Sequence, residues 1–408
     1  KKGVSIPYRN PIFQLVLVFV AWCFICTLLN SFTVFKSYFK LTSGINRFIR
    51  QYLSLILSSI VLFLFYWNVI LKMDLKQILI TVRKVFLASL IVAFVYGILE
   101  TLIIVFKIPS VFPILNLFDY FPFLDVKVFG DRISSVSYEV PFLAIYLITI
   151  AGWMFSYIYT SKGIMKFAPM FMVLFLTFFS GSRTGLLVIF IQLIVFLSIL
   201  FYSKQYRKYA LIFLSALLVI LTILFVANSK TVTEEIAKKI ESLNIKENLT
   251  ESVSNKSRIG IQYASLQVFK EHPIVGVGFG QQTYHNRFFY PVWATTNNYE
   301  FNLFYKNQFL KSFPPGYNLY IRIMTETGII GILIYLFIIF LIFRQLLTII
   351  KNRKEEERVL AVVLFIGFLG LTINSLQIDT FRIYGFWIFL AILIKMSSIR
   401  YQGITEVK

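Results

Sequence analysis

The chain has 408 residues, of which 58% are hydrophobic, 18% aromatic and only 14% charged, with a formal net charge of +21. A soluble domain is roughly half apolar and about 25% charged, so an ordinary soluble globular fold is excluded. On a soluble protein so basic a balance would point to nucleic acid. Here the basic residues fall mostly between long apolar blocks, so the expected partners are the lipid bilayer and lipid-linked anionic substrates, not nucleic acid.

Apolar blocks near 12–31, 53–71, 86–106, 140–159, 164–180, 185–202, 209–227, 328–343, 359–376 and 383–396 have the length and composition of membrane spans. The fold class expected is therefore all-α, a polytopic membrane protein of about ten helices. The first block, "LVLVFVAWCFICTLL", lacks a small-residue cleavage site and reads as a span, not a cleavable signal. It carries the only two cysteines, Cys23 and Cys26. With no further Cys or His beside them to finish a metal site, they read as inert helix residues. The segment 36–52, with Lys36, Lys40, Arg47 and Arg50, reads as an interfacial helix or a basic surface.

Lys/Arg in short loops set orientation. "KMDLKQILITVRK", "SKGIMK", "SKQYRKY" and "RQLLTIIKNRKEEER" fall on one side, taken as cytoplasmic. The organisation expected is N-terminal helices over 1–227 with an outer segment at 107–139, a large extracytoplasmic loop over 228–316, and C-terminal helices over 317–408. Long loops without structure are uncommon unless functional. The first half of this one has apolar residues at helical spacing. The second half is rich in Gly, Asn and aromatics, which suits either sugar rings or an interfacial aromatic belt.

"GVGFG" (Gly276, Gly278, Gly280) lacks the strand, helix and acidic residue of a dinucleotide fingerprint and reads as tight backbone turns. The two histidines, His272 and His285, form no H-E-x-x-H pattern, and Asp119, Asp125, Asp131 and Glu139 are spread along 107–139 without a D-x-D pair. No G-x-S-x-G is present and no internal repeat is visible. The positive signal is a set of arginines on the outer side: Arg132, Arg183, Arg258, Arg287 and Arg322. A guanidinium at a span is costly and marks function by default. Arginine forks match phosphate geometry and stay charged when partly dehydrated.

These residues resemble a family. "FFSGSRTGLL" at the end of a span looks like the serine–arginine signature of bacterial O-antigen polymerases and O-antigen ligases. "GDRISSVSYEVPFLAIYL" resembles the family's Arg-Ser stretch with Glu/Asp-Pro-Asn before a span, although Glu139-Val140-Pro141 has no Asn. "SRIGIQYASLQVFKEHPIVGVGFGQ" looks like the arginine-to-P-x-x-G-x-G segment that opens the large loop. "YNLYIRIMTETGIIG" resembles the motif that closes it, with Asn318, Gly328 and Gly331 in place. The likeness spans roughly residues 110–345. In ligases a histidine precedes the closing-motif Asn; here Tyr317 stands there, and tyrosine, with a pKa near 10, is a poor base at neutral pH. That departure weakens the ligase reading and favours a polymerase.

The resemblance implies a GT-C-like fold in the bacterial cytoplasmic (inner) membrane, active on the outer face. It implies glycosyl transfer from a polyprenyl-pyrophosphate-linked glycan donor to a sugar hydroxyl of a second lipid-linked glycan, without nucleotide sugar, metal or other cofactor. The product would be O-antigen, capsule or exopolysaccharide, with a chain-length regulator and a flippase as partners. On this reading Arg183 and Arg258 are catalytic, holding the pyrophosphate, and Glu139 is the general base, its pKa raised by desolvation at a span end. A salt bridge to Arg132 is the alternative role for Glu139, and His285 is the second candidate base. Arg132, Arg287 and Arg322 are phosphate or sugar contacts, and Tyr317 and Asn318 are substrate contacts. A ligase moving finished glycan to a lipid, wall or protein acceptor is one competing reading. A transporter of lipid-linked sugars is another, though the paired repeats such proteins show are not seen.

Overall fold

The computed structural model describes residues 3–121, 126, 132–227, 253–352 and 355–405. The principal helices, in chain order, are α1 (Pro11–Leu29), α2 (Gly44–Ile70), α3 (Leu75–Ile104), α4 (Val140–Thr160), α5 (Ala168–Ser180), α6 (Arg183–Tyr202), α7 (Arg207–Ala227), α8 (Val253–Glu271), α9 (Leu319–Asn352), α10 (Glu355–Asn374) and α11 (Tyr384–Thr405). By length and composition, six among the described residues can cross a membrane: α1, α2, α3, α4, α6 and α9. The only sheet described is one hairpin of two-residue strands, β1 (Tyr38–Phe39) and β2 (Thr42–Ser43). The all-α class expected from composition is thus observed, and its long apolar helices are consistent with a membrane protein. Residues 228–252, and with them the start of the large loop, lie outside the described residues, as do Asp125 and Asp131.

The chain divides into two compact units. The first comprises Lys1–Met73, Asn244–Thr348 and Ser375–Lys408; the second comprises Asp74–Leu243 and Ile349–Asn374.

In the second unit α4 is the central element. Leu147, Ile148, Ile150, Ala151, Trp153, Met154 and Phe155 are all fully buried. α4 packs on α10, α6 and α5. Small residues permit the close approach that membrane helices use: a side chain at Gly152 would lie 2.6 Å from the Val363 carbonyl oxygen. Buried Gln192 ties three helices together, donating through Nε2 to the carbonyls of Ile148 (3.0 Å) and Ile366 (2.9 Å).

In the first unit α11 packs along α2. Buried Lys395 donates through Nζ to the carbonyls of Ile70, Leu71 and Met73, capping the C-terminal end of α2, where a cation meets unpaired carbonyls and the negative helix end. The segment 36–52 is not a separate interfacial helix. A short helix, Ser31–Lys36, leads into the hairpin, whose turn places Lys40 and Leu41 at positive φ. α2 then starts at once, with the Ser43 hydroxyl accepting from the Asn46 N–H. Lys40 pins the hairpin by donating to the carbonyls of Asn307 and Leu310. Gly328, where a span is expected to open, is non-helical at φ 67 and ψ −168 and separates the two helical stretches that make up α9. Cys23 and Cys26 are free thiols buried in α1, as expected of inert helix residues.

Candidate active site

The glycine loop and the α9 kink form one device. Breaking α9 at Gly328 leaves carbonyls without their helical partners, and buried carbonyls need donors. The glycine loop supplies them: the Val277 N–H donates to the Thr325 carbonyl (3.0 Å) and the Gly278 N–H to that of Glu326 (2.9 Å). The Ile329 N–H donates back to the Pro273 carbonyl (2.8 Å). A side chain on Gly276 would meet the Glu326–Gly328 backbone at 2.6 Å. Gly276, Gly278 and Gly280 all adopt positive φ, so the glycines make tight turns as read. α1 braces the same place, with Trp22 donating to the Thr327 carbonyl and Asn30 to that of Gly276. The motifs that open and close the large loop are therefore hydrogen-bonded partners.

Nearly two turns before the kink, Arg322 faces a cavity of about 190 Å³ within the first unit. Arg47, Gln51, Phe279, Phe313, Asp379 and Arg382 also line it. Arg322 is 7% exposed and its donors are committed: Nε to Glu326 Oε2 (3.2 Å), Nη1 to the Asp379 carbonyl (2.6 Å) and Nη2 to Gln51 Oε1 (2.9 Å). The Asp379 carboxylate is held through Oδ2 by the Gly316 N–H at 2.7 Å. Asp379, Arg47 and Arg382 are the residues that sequence reasoning missed. The signal was present in "QIDTFR", a short charged run between apolar blocks.

Beside this cavity, Arg258 reaches Gln377 (Nη1 to Oε1, 3.4 Å) and lies 5.0 Å over the Tyr317 ring. Tyr317 packs against the aromatic cluster of Phe301, Tyr305 and Tyr290. Burial pushes its hydroxyl above the ordinary tyrosine value, against the pull of Arg258. It is thus a proton donor at neutral pH and not a base. Asn318 caps α9, its side-chain oxygen accepting from the Ile321 N–H at 3.1 Å.

His285 and His272 sit ring to ring, 5.9 Å between centroids. Burial, then His272 and Arg287, holds the His285 imidazole down at about 4, which makes it a weak base. Arg287 stacks on Phe288 (4.6 Å) and Phe39 (4.9 Å). Arg287, Arg47 and Arg50 are the cations around Tyr284, whose hydroxyl burial nonetheless raises to about 12.

In the second unit the "SGSR" turn is built as its residues dictate. Gly181 ends α5 in the left-handed region at φ 61. The Ser182 hydroxyl accepts from the Gly185 N–H (3.1 Å) to start α6, which places Arg183 at its first position. The Arg132 side chain lies over Gly181, about 3.4 Å from where a Cβ would stand. Glu139 departs from its expected setting. It is exposed at the start of α4 and its side chain caps nothing, so the desolvation assumed for it is missing. No ion pair joins it to Arg132 among the described residues. The buried carboxylate of this unit is Glu100, fully enclosed on α3. It accepts from the backbone N–H groups of Ser134 (3.1 Å) and Ser135 (2.7 Å), just after Arg132. A lone Glu in "YGILETLIIV" was the sequence signal for it.

Among the described residues no three of His, Cys, Asp and Glu come together as a metal would need. The fold, with its long apolar helices, is that of a polytopic membrane protein, and among its candidate site arginines Arg322 is buried in the first turn of α9 and Arg183 opens α6. The resemblance read from the motifs is borne out by comparison: residues 168–336 match the model of the family described as O-antigen ligase, consistent with the O-antigen ligase and polymerase family. No curated protein matches the chain. The match supports glycosyl transfer of that general kind.

Proposed function

We propose that the protein is a polysaccharide polymerase of the cytoplasmic membrane, acting on its outer face. The donor is a polyprenyl-pyrophosphate-linked glycan and the acceptor a sugar hydroxyl of a second lipid-linked glycan. The hydroxyl oxygen attacks the donor's anomeric carbon. The bond from that carbon to the pyrophosphate oxygen breaks, and polyprenyl pyrophosphate leaves with its electron pair. The donor already carries the energy of the new bond, so the protein's task is to position the reactants, take one proton and stabilise the leaving charge. Preorganised cations that meet developing negative charge often supply most of the rate enhancement in such a reaction. Arg258 and Arg183 are assigned to the pyrophosphate, with Arg132, Arg287 and Arg322 as secondary contacts.

The observation that carries this reading is the carboxylate of Asp379 in an arginine-lined cavity. Its Oδ2 is anchored by Gly316, and Oδ1 has no partner among the described residues. That oxygen is the proton acceptor proposed in place of exposed Glu139. A ligase is the second reading, favoured by the description of the matching family; Tyr317, where ligases carry histidine, argues against it.

The test is purified protein in detergent with a lipid-pyrophosphate-linked repeat unit and EDTA, without nucleotide, followed on a gel. A ladder that Arg183→Ala and Arg258→Ala abolish, in folded protein, is expected. Transfer only to an added acceptor that is not a lipid-linked glycan would establish the ligase. No transfer of either kind, with an authentic substrate, would make transport the leading reading.

A further inference from the structure

Arg47 has an unusual setting. It lies in the first turn of α2, where no acidic residue is present and the helix end is itself positive. Its guanidinium stacks 4.0 Å over the Phe313 ring, and its Nε is buried without a hydrogen-bond partner. No other hydrogen bond or ion pair holds Arg47 among the described residues. None of its charged neighbours is in ion-pair contact with it, although Glu326 and Asp379 partly offset Arg322. Arg322 repels it, Glu326 is already engaged by Arg322, and Asp379 has one oxygen on Gly316. Arg382 adds a further positive charge to the same lining. A cation withdrawn from water without a counter-ion is costly. Arg47 is such a cation, and ion-paired Arg322 and exposed Arg382 line the same small cavity with it, an arrangement of guanidinium groups suited to anions.

We infer that the cavity lined by Arg47, Arg322 and Arg382 binds a phosphate or pyrophosphate group, with Arg47 as its principal ligand. This rests on the reading that the substrates carry lipid-linked pyrophosphate. It adds a residue that the arginine set read from the sequence did not include. Guanidinium forks pair with phosphate oxygens two at a time. The stacked Phe313 holds the Arg47 fork in place, and Arg322 is held by its three partners. A volume of about 190 Å³ falls below the roughly 300–1,000 Å³ of sites for drug-sized ligands. It suits one compact anionic group and the hydroxyl that meets Asp379, with the rest of the glycan and the lipid outside. Asp379 belongs to the same lining, so its negative charge opposes the anion that Arg47 attracts.

The experiment is calorimetric titration of the full chain in neutral detergent at low salt, first with inorganic pyrophosphate and then with dihexanoyl phosphatidylglycerol. Arg47→Gln is expected to weaken pyrophosphate binding at least tenfold and Arg382→Gln severalfold, whereas Asp379→Asn tightens it. Arg344→Gln, near the far end of α9, leaves it unchanged. A merely structural role for these residues gives no such tightening. If the phospholipid binds and pyrophosphate does not, with the same ranking of variants, the site stands and its ligand is a bilayer headgroup. Equal affinity for both ligands in wild type and Arg47→Gln, in protein of unchanged thermal unfolding, overturns the inference. Should Arg47→Gln fail to fold, the opposite shifts of Arg382→Gln and Asp379→Asn decide it. No glycan and no turnover enter the titration, so its result is independent of whether chain growth is observed.

Discussion

Arg322 and Glu326 form an ion pair one helical turn apart on α9, Nε to Oε2 at 3.2 Å, with side chains only 9% and 3% exposed. The pair sits between the cavity and the Gly328 kink. Removing one partner of a buried pair strands the other charge, at a cost of about 3–5 kcal/mol. Glu326→Gln is therefore expected to lower stability by that order, read as thermal unfolding in detergent. A shift within error of zero would show that water or another group shares the charge.

Gly328 is the backbone counterpart. Its φ of 67 with ψ of −168 belongs to a region populated essentially by glycine. An added Cβ would stand 2.1 Å from the Ile274 carbonyl oxygen, and that contact is backbone, so it cannot swing away. Gly328→Ala should cost at least about 3 kcal/mol and release the glycine loop. Gly163→Ala is the control: φ is also positive there, but nothing lies within 4 Å, so only about 1 kcal/mol is expected. Equal losses in the two variants would mean that the close approach at Gly328 is not what holds the loop.

The sequence showed the helices and one half of the site. Long apolar blocks announce spans, and the helical spacing of the segment now seen as α8 was visible. The glycine turns and the motif ends at Gly181, Gly276 and Gly328 were legible because only glycine adopts those backbones cheaply. What stayed hidden depends on contacts across long sequence separations. Arg47 and Asp379 are more than 300 residues apart in the chain and line the same cavity. Asn318, read as a substrate contact, also caps a helix through its amide oxygen, a role that the sequence did not show. Glu139 was chosen for its place beside a span, but burial is decided by packing, and packing encloses Glu100 instead.

His285 gives a pH dependence of defined sign. Burial, His272 and Arg287 hold it at about 4 in the folded chain, against about 6.5 when unfolded. Between those values the unfolded chain binds more protons. Stability therefore falls as pH drops from about 6.5 toward 4, by an order of about 3 kcal/mol at most. His285→Gln, neutral at every pH, should flatten that part of the wild-type curve when unfolding is measured from pH 4 to 7. Parallel curves for the two proteins would mean that the imidazole is solvated.

Glu100 accepts backbone N–H groups on both carboxylate oxygens, from Ser134 and Ser135. A glutamine has the same shape but turns an NH₂ toward one of those donors. Glu100→Gln is expected to cost about 1–3 kcal/mol and to loosen the segment that carries Arg132 over Gly181. Hydrogen exchange of Ser134 and Ser135 should rise sharply in this variant. Unchanged protection at both amides would refute the anchoring role.

Asp379 and Glu139 compete for the role of base, and their settings predict opposite results. Asp379 lines a cavity with three arginines, while Glu139 is exposed and caps nothing. Loss of a general base typically lowers turnover by about 10²–10⁴-fold. Asp379→Asn should therefore reduce kcat for chain growth by that order. KM for the lipid-linked donor should be unchanged or lower, since the substitution removes a negative charge beside the phosphate. Glu139→Gln should leave kcat within about twofold, because an exposed side chain that caps nothing is not held in place as a general base must be. Purified variants compared with wild type for kcat and donor KM separate the cases. The reverse pattern would return the base to Glu139 and leave Asp379 as an anchor for Gly316 and Arg322.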